Sequence, residues 1–164
     1  HHPDTKKYED GFNQVYSILK SLLPLSDFQK VVLWPNSDAG SASNSKAIRK
    51  FREFDDDGTY AYFKNFSPED FVTLLAGTEL CVGNSSSFIR EAEFLAVPAV
   101  IVGERQYSRE HGNNVIFSET NTDNISLQIA EALKLHPNSE SIFGCGAAGE
   151  LIANKIAETD LTTK

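Results

Sequence analysis

Hydrophobic and polar positions along the chain alternate between a helical and an extended period. Phe12, Val15, Tyr16, Leu19, Leu22 and Leu23 recur at helical spacing and predict a helix of about four turns, closed by Pro24. Val31-Val32-Leu33-Trp34 is a continuous apolar run ending at Pro35, which predicts a strand buried on both faces. A charged helix over 47–54 follows, with Ile48, Phe51 and Phe54 inward and Lys46, Arg49, Lys50 and Arg52 on a solvated face. After a turn at Asp55-Asp56-Asp57-Gly58, residues 60–64 predict the next strand. Ser67-Pro68-Glu69-Asp70 then reads as a helix start, with Ser as N-cap, Pro at the first helical position and Asp standing in for the Glu of a capping box. Cys81-Val82-Gly83 predicts a short buried strand that leads through a polar turn into a helix ending at Leu95. Strands at 99–102 and 114–117 and helices over 125–135 and 147–158 complete the pattern, the last two joined through Phe143-Gly144-Cys145-Gly146.

Alternation of helices with buried strands, without an internal repeat, predicts an α/β chain: a doubly wound, Rossmann-like parallel sheet with helices on both faces. In such sheets ligands bind outside the carboxyl ends of the strands, and the polar motifs of this chain all fall at strand exits. Asn36, Asp38, Phe66, Ser85, Ser86 and Arg105 come from four strands and are expected to share one rim.

Composition narrows the possibilities. The 164 residues are 40% hydrophobic and 23% charged, enough for one well-buried core, so residues 1–164 are expected to form a single domain. A net charge of −8 leaves no electrostatic footprint for nucleic acid or an anionic membrane surface, and any phosphate has to be met by local groups. No apolar run approaches a membrane span. The two cysteines lack metal or redox spacing, which points to a reduced, cytoplasmic compartment. The absence of Met suggests a piece excised from something longer. The triple aspartate lacks the later ligands of a calcium loop, and no metal or cofactor is expected.

Candidate chemistry centres on Ser85-Ser86-Ser87. Three hydroxyls at a helix start, beside backbone N–H groups without intrahelical partners, suit an anion, although serines also serve there simply as caps. Glu91, about a turn and a half further on, is placed to accept hydrogen bonds from a ribose diol, so serines and carboxylate together suit a nucleoside diphosphate. Arg105 and Arg109, at the exit of the 99–102 strand, supply local cations; surface salt bridging is the competing use.

These residues carry a resemblance. His2-Pro3 with Thr5, Trp34-Pro35-Asn36-Ser37-Asp38-Ala39-Gly40-Ser41, Gly83-Asn84-Ser85-Ser86 through Arg90-Glu91, Arg105-Gln106 with Arg109-Glu110, and Phe143-Gly144 with Gly146 resemble, in order, the C-terminal domain of the UDP-N-acetylglucosamine 2-epimerase family, particularly its hydrolysing branch. The chain departs from that pattern at Cys145, where Asp is usual, and at Ser108, where Gly is usual.

The resemblance implies the C-terminal half of a GT-B-type fold of two Rossmann-like domains, with the N-terminal half outside this chain. It implies that Glu91 takes the ribose hydroxyls, Ser85, Ser86 and Arg105 the diphosphate, and the backbone around Phe66 the uracil edge. It places His2 near the phosphates and sugar, with Asn36 and Asp38 on the sugar side; His2 and Asp38 are then the candidate catalytic groups, and Arg109 joins the ligand-binding set. The implied partners are UDP, a UDP-N-acetylhexosamine and the N-terminal domain of the same enzyme, with homo-oligomers in the full-length protein. The implied reaction eliminates UDP and releases the 2-epimerised N-acetylhexosamine, as in sialic acid biosynthesis, and this chain alone is expected to be inactive. The donor half of a GT-B glycosyltransferase and a non-catalytic nucleotide-sugar-binding module are the competing readings.

Overall fold

The computed structural model describes residues 1–3, 10–37, 39–55, 58–138, 142–144 and 146–159. Among these residues, five strands and six α-helices follow the expected alternation: α1 Gly11–Ser21, β1 Lys30–Leu33, α2 Ser41–Arg52, β2 Tyr60–Phe63, α3 Pro68–Ala76, β3 Cys81–Gly83, α4 Glu91–Phe94, β4 Ala99–Val102, β5 Val115–Ser118, α5 Thr122–Ala132 and α6 Ala148–Glu158. Every strand pairing is parallel. β1 pairs with β2 from Lys30↔Tyr60 to Leu33↔Phe63, and β4 lies between β3 and β5.

The strands form a two-stranded sheet, β1-β2, and a three-stranded sheet, β3-β4-β5, rather than one continuous sheet. β4 is buried along its whole length because helices cover both faces of the larger sheet. Ala99 and Ile101 join Leu75, Cys81, Ile89, Ala92 and Val97 on the face covered by α3 and α4. Val100 and Val102 turn the other way, onto Ile125, Ile129 and Ala132 of α5 and Ile18 of α1. This is the period-2 alternation of a doubly covered strand.

A third core joins β1-β2 to the first two helices: Val15 and Leu19 of α1 pack with Ala47, Ile48 and Phe51 of α2 and with Tyr60. Helix α1 therefore faces both sheets, because Ile18 and Leu19 point to opposite sides of the strip it buries. The Tyr60 hydroxyl adds a buried hydrogen bond of 3.1 Å to the Leu19 carbonyl.

Local signals explain the helix ends. Ser67 caps α3, its Oγ accepting from the Asp70 N–H at 3.1 Å and donating to the Asp70 carboxylate at 2.8 Å. Asn121 caps α5 by accepting from the Asn124 N–H, so this helix starts three residues before the expected 125. Helix α2 starts at Ser41 rather than at 47. Gly40, with φ 90°, turns the chain into the helix, and buried Asn44 donates to the His1 carbonyl at 3.0 Å. The serine run differs as well: Ser86–Phe88 is a single 3-10 turn capped by Ser85, and α4 begins only at Glu91. The first turn is too short to carry the macrodipole of a full helix.

Two apolar surfaces lie open. Val31, in the strand expected to be buried on both faces, is 41% exposed, and α6 keeps Leu151, Ile152 and Ile156 in solvent. No described helix is long and apolar enough to cross a membrane.

Since Ile18 is 6% exposed in a core shared by α1, β4 and α5, Ile18→Ala should lower stability by about 2–5 kcal/mol. Urea unfolding monitored by fluorescence of Trp34 checks this; an unmoved midpoint would mean that α1 does not anchor the larger sheet.

Candidate nucleotide-binding rim

The carboxyl ends of β3, β4 and β5 open onto a pocket of about 380 Å³. β3 brings Asn84, β4 brings Gly103, Glu104, Arg105 and Tyr107, and β5 brings Glu119 and Thr120; His1 and the α1 residues Asp10 and Gln14 close the remaining side.

Asn84 organises this rim. It is 1% exposed, and its side-chain amide pairs with the backbone of His2 in both directions: the His2 N–H donates to Oδ1 at 2.7 Å, and Nδ2 donates to the His2 carbonyl at 2.9 Å. Gln106, also buried, donates to the Asn84 carbonyl at 2.8 Å and ties the exit of β4 to that of β3. The Asn84 amide, paired through both its oxygen and its nitrogen, holds one geometry, because a broken partner would leave a desolvated polar group; Gln106 is bonded through its nitrogen, and its Oε1 is buried without a partner.

His1 Nε2 lies 3.0 Å from Gln14 Oε1 and 3.3 Å from Asn84 Nδ2. One ring nitrogen cannot be donor and acceptor at once. Gln14 Oε1 only accepts, so the shorter contact assigns the proton to Nε2, donating to Gln14. The α-amine of His1 is buried, and its pKa is pushed down to about 6, chiefly by desolvation and then by the positive charge of Arg105.

Arg105 sits at the pocket wall, where Nη1 donates to the Pro3 carbonyl at 2.6 Å. A guanidinium has five N–H donors, so this bond orients the group and leaves donors for an anion. The same pocket holds Asp10, Glu104 and Glu119, which suit hydroxyl groups rather than phosphate. Glu119 accepts from the Asn121 side chain at 2.9 Å. Among the described residues, the rim thus combines one guanidinium with three carboxylates.

The other predicted residues that the structure describes do not line this pocket, and the single shared rim expected from the strand exits is split between two sheets. Ser85 and Ser86 follow Asn84 directly; the Ser85 hydroxyl accepts from the Ser87 N–H at 3.3 Å, the cap use that competes with anion binding. Glu91 is exposed at the start of α4 and does not line the pocket. The 142–144 segment is held beside that helix, with the Ile142 N–H donating to Glu93 at 3.0 Å and the Arg90 guanidinium 5.7 Å from the Phe143 ring. Phe66 packs on Phe63 with ring centroids 4.9 Å apart, at the exit of β2. Asn36 is exposed at the exit of β1, and Arg109 is exposed beyond the β4 turn. Asp38, Thr5 and Cys145 lie outside the described residues, as do Asp56 and Asp57. Of the predicted residues that are described, Arg105 alone lines the pocket itself. Among the described residues, no group of three or more His, Cys, Asp or Glu could hold a metal ion.

The pocket also contains residues that the sequence pattern did not single out. Gln14 had a signal: it occupies an inward position of α1, four residues before Ile18, where an apolar residue is the rule. Asp10, Glu104 and Glu119 had none, since exposed carboxylates at element ends are common.

Solved structures with the same fold include the UDP-GlcNAc 2-epimerase of Methanocaldococcus jannaschii in complex with UDP-GlcNAc and UDP. It matches at a TM-score of 0.71 and 17% identity, over 96% of this chain and 44% of that one. The chain thus has the α/β fold of one part of a GT-B-type protein. The sequence pattern of the family described as UDP-N-acetylglucosamine 2-epimerase matches residues 1–157, and the chain belongs to that family. Relatives include the UDP-N-acetylglucosamine 2-epimerase of Neisseria meningitidis serogroup B, 34% identical over 69% of this chain and 29% of that protein. Another is the hydrolysing UDP-N,N'-diacetylbacillosamine 2-epimerase of Legionella pneumophila, 31% identical over 92% of this chain and 39% of that protein. The chain therefore spans well under half the length of these relatives.

A group whose charged form is disfavoured by folding makes stability depend on pH. With the His1 amine at 8.0 in the unfolded chain and about 6 in the folded one, the unfolded state binds more protons between these values. Stability should rise as pH rises from 6 to 8, by an amount on the order of 2–3 kcal/mol. Urea midpoints measured across this range, with and without N-terminal acetylation, check it; a slope that survives acetylation would assign the effect to other groups.

Proposed function

We propose that this chain is the nucleotide-sugar-binding half of a hydrolysing UDP-N-acetylhexosamine 2-epimerase. The observation that carries the reading is the convergence, at one rim of a chain of this family, of Arg105, Asn84 immediately before the Ser85-Ser86 turn, and the His1–Pro3 segment held by Asn84 and Arg105. In this reading Arg105 and the serine turn receive the diphosphate, Glu91 takes the ribose diol, the backbone near Phe66 meets the uracil, and Asn36 and Arg109 flank the ligand. His2 and Asp38 stand on the sugar side. A base removes the proton at C2 of the sugar while the C1–O bond breaks and UDP departs. Water then adds across the resulting double bond, giving the free 2-epimer. The task of this half is to stabilise the charge growing on the departing diphosphate, which a fixed guanidinium does well in a partly desolvated site.

Calorimetry with UDP and uridine tests the binding assignment. Arg105→Ala should weaken UDP far more than uridine, and Glu91→Gln should weaken both by about 1.5–3 kcal/mol, the worth of a charge-assisted hydrogen bond. Equal losses of UDP and uridine in Arg105→Ala would separate Arg105 from the phosphates, and unchanged affinities in Glu91→Gln would remove the ribose role.

A second reading rests on Asp10, Glu104 and Glu119 in the pocket: it gives this half proton-transfer groups of its own. Against it stands the open rim, since positioning and water exclusion contribute roughly 7–11 kcal/mol to such reactions. The chain alone is expected to bind UDP and turn over nothing. Incubation with UDP-N-acetylglucosamine, followed by NMR for free UDP and N-acetylmannosamine, decides between the two; turnover by the chain alone would establish the second.

A further inference from the structure

Helix α4 has four residues, Glu91–Phe94, and no side-chain cap, so local forces alone do not hold its shape. Its neighbours do. Ile89 and Ala92 lie in the core of the larger sheet, at 1% and 0% exposure, and the turn closes through Ala96 in the left-handed region, with φ 55°. Glu93 is buried as well, at 2% exposure, an uncommon place for a carboxylate. One of its partners is the Ile142 N–H, which donates to Oε1 at 3.0 Å from 49 positions away in sequence. Gly112 closes against the same carboxylate: a side chain there would begin 2.5 Å from Glu93 Cγ and 3.0 Å from Oε1. Three residues before Glu93, the Arg90 guanidinium lies 5.7 Å from the Phe143 ring, a cation–π contact with the same segment. Arg90 and Glu93 share one side of the turn, whereas exposed Glu91, about 200° round from Glu93, faces the other way.

We propose that Glu93 is a positioning residue: through Ile142 it docks the 142–144 segment onto α4 and thereby sets the direction in which Glu91 presents its carboxylate. The inference rests on the reading of Glu91 as the acceptor for a ribose diol and adds to it the groups that aim it. An apolar residue at position 93 would pack on the core whether or not the segment were there. A carboxylate does not, because burial without a donor is costly; its charge-assisted bond to the Ile142 N–H makes the seating of α4 conditional on the segment. Released on that side, so short a turn rolls about its axis, and Glu91 on the far side rolls with it. Two hydrogen bonds from adjacent hydroxyls tolerate little displacement of their acceptor, so a small roll costs the diol both. Phe143-Gly144 thereby acquires a use that the rim pocket does not give it, since neither residue lines that pocket. The coupling runs both ways: whatever docking of 142–144 adds to ribose binding at Glu91, ribose binding adds to docking.

Calorimetry with UDP and 2′-deoxy-UDP reads the aim of Glu91, because the two ligands differ by one hydroxyl of the diol. The unaltered chain should prefer UDP. Glu93→Ala should weaken UDP about tenfold and bring the preference close to one, whereas Glu93→Gln, which keeps an acceptor for the Ile142 N–H, should retain affinity and preference. In a Glu91→Gln background, Glu93→Ala should cost nothing more. With no substitution at all, saturating UDP should slow hydrogen exchange of the Ile142 amide about tenfold and leave that of Leu133, at the C-terminal end of α5, unchanged, which keeps the proposal testable where Glu93→Ala does not fold. A folded Glu93→Ala chain with its preference intact, equal losses of UDP and 2′-deoxy-UDP, equal losses in Glu93→Ala and Glu93→Gln, or an Ile142 amide indifferent to bound UDP would each overturn the positioning role while leaving the ribose role to be judged by Glu91→Gln. UDP that does not bind the unaltered chain would instead remove the nucleotide reading, and this inference with it.

Discussion

Helix α1 is the constraint on which the described domain depends. The two sheets share no backbone hydrogen bond among the described residues, so what holds them in one frame is side-chain packing through this helix. Val15 and Leu19 belong to the core of the smaller sheet, and Ile18 to that of the larger. Burial is non-directional, so these contacts alone would allow sliding; the Tyr60–Leu19 bond adds direction on one side. The N-terminal end of the same helix reaches the rim through Asp10 and Gln14. Stability and site geometry are therefore coupled, and a shift of α1 would displace Gln14 from His1.

The rim solves an electrostatic problem posed by composition. A chain of net charge −8 repels anions at long range, and over more than a Debye length salt screens whatever attraction a single cation offers. An anion at such a rim would depend on donors fixed at contact distance. Arg105 is fixed by the Pro3 carbonyl, Pro3 by the His2 backbone before it, and His2 by Asn84. The order runs from a buried amide to a guanidinium at the surface: two neutral hydrogen bonds hold His2, the peptide bond carries that geometry to Pro3, and a charge-assisted bond to the Pro3 carbonyl orients Arg105.

Much of the fold was legible because the apolar runs are short and bounded by Pro, Gly and Asp. The four residues of β4 are apolar without interruption, which is what burial on both faces requires, and Ser67-Pro68 marked the start of α3. The start of α2 was hidden, since Ser-Ala-Ser-Asn-Ser carries no apolar period and is held in a helix by a tertiary bond from Asn44 to His1. The broken helix after β3 was hidden for a related reason: serines that cap also permit a 3-10 turn. Of the site, Arg105 and the polar turns were visible as strand exits. Asn84 was visible as a motif member but not as its centre, because its role lies in bonds to residues 82 positions away.

The same reasoning accounts for the apolar residues that remain exposed. Val31-Val32-Leu33-Trp34 carries the pattern of a strand with neighbours on both edges and cover on both faces, and α6 carries the stripe of a helix that packs. Period and structure agree in the larger sheet, where β4 is buried and α5 hides Ile125 and Ile129 while keeping Leu127 outside; Phe54, expected inward after α2, is 63% exposed. Where they disagree, at Val31 and at Leu151, Ile152 and Ile156, the disagreement has a direction. Both sites are more apolar than their surroundings allow, which is the sign of surface selected for burial rather than for solvent.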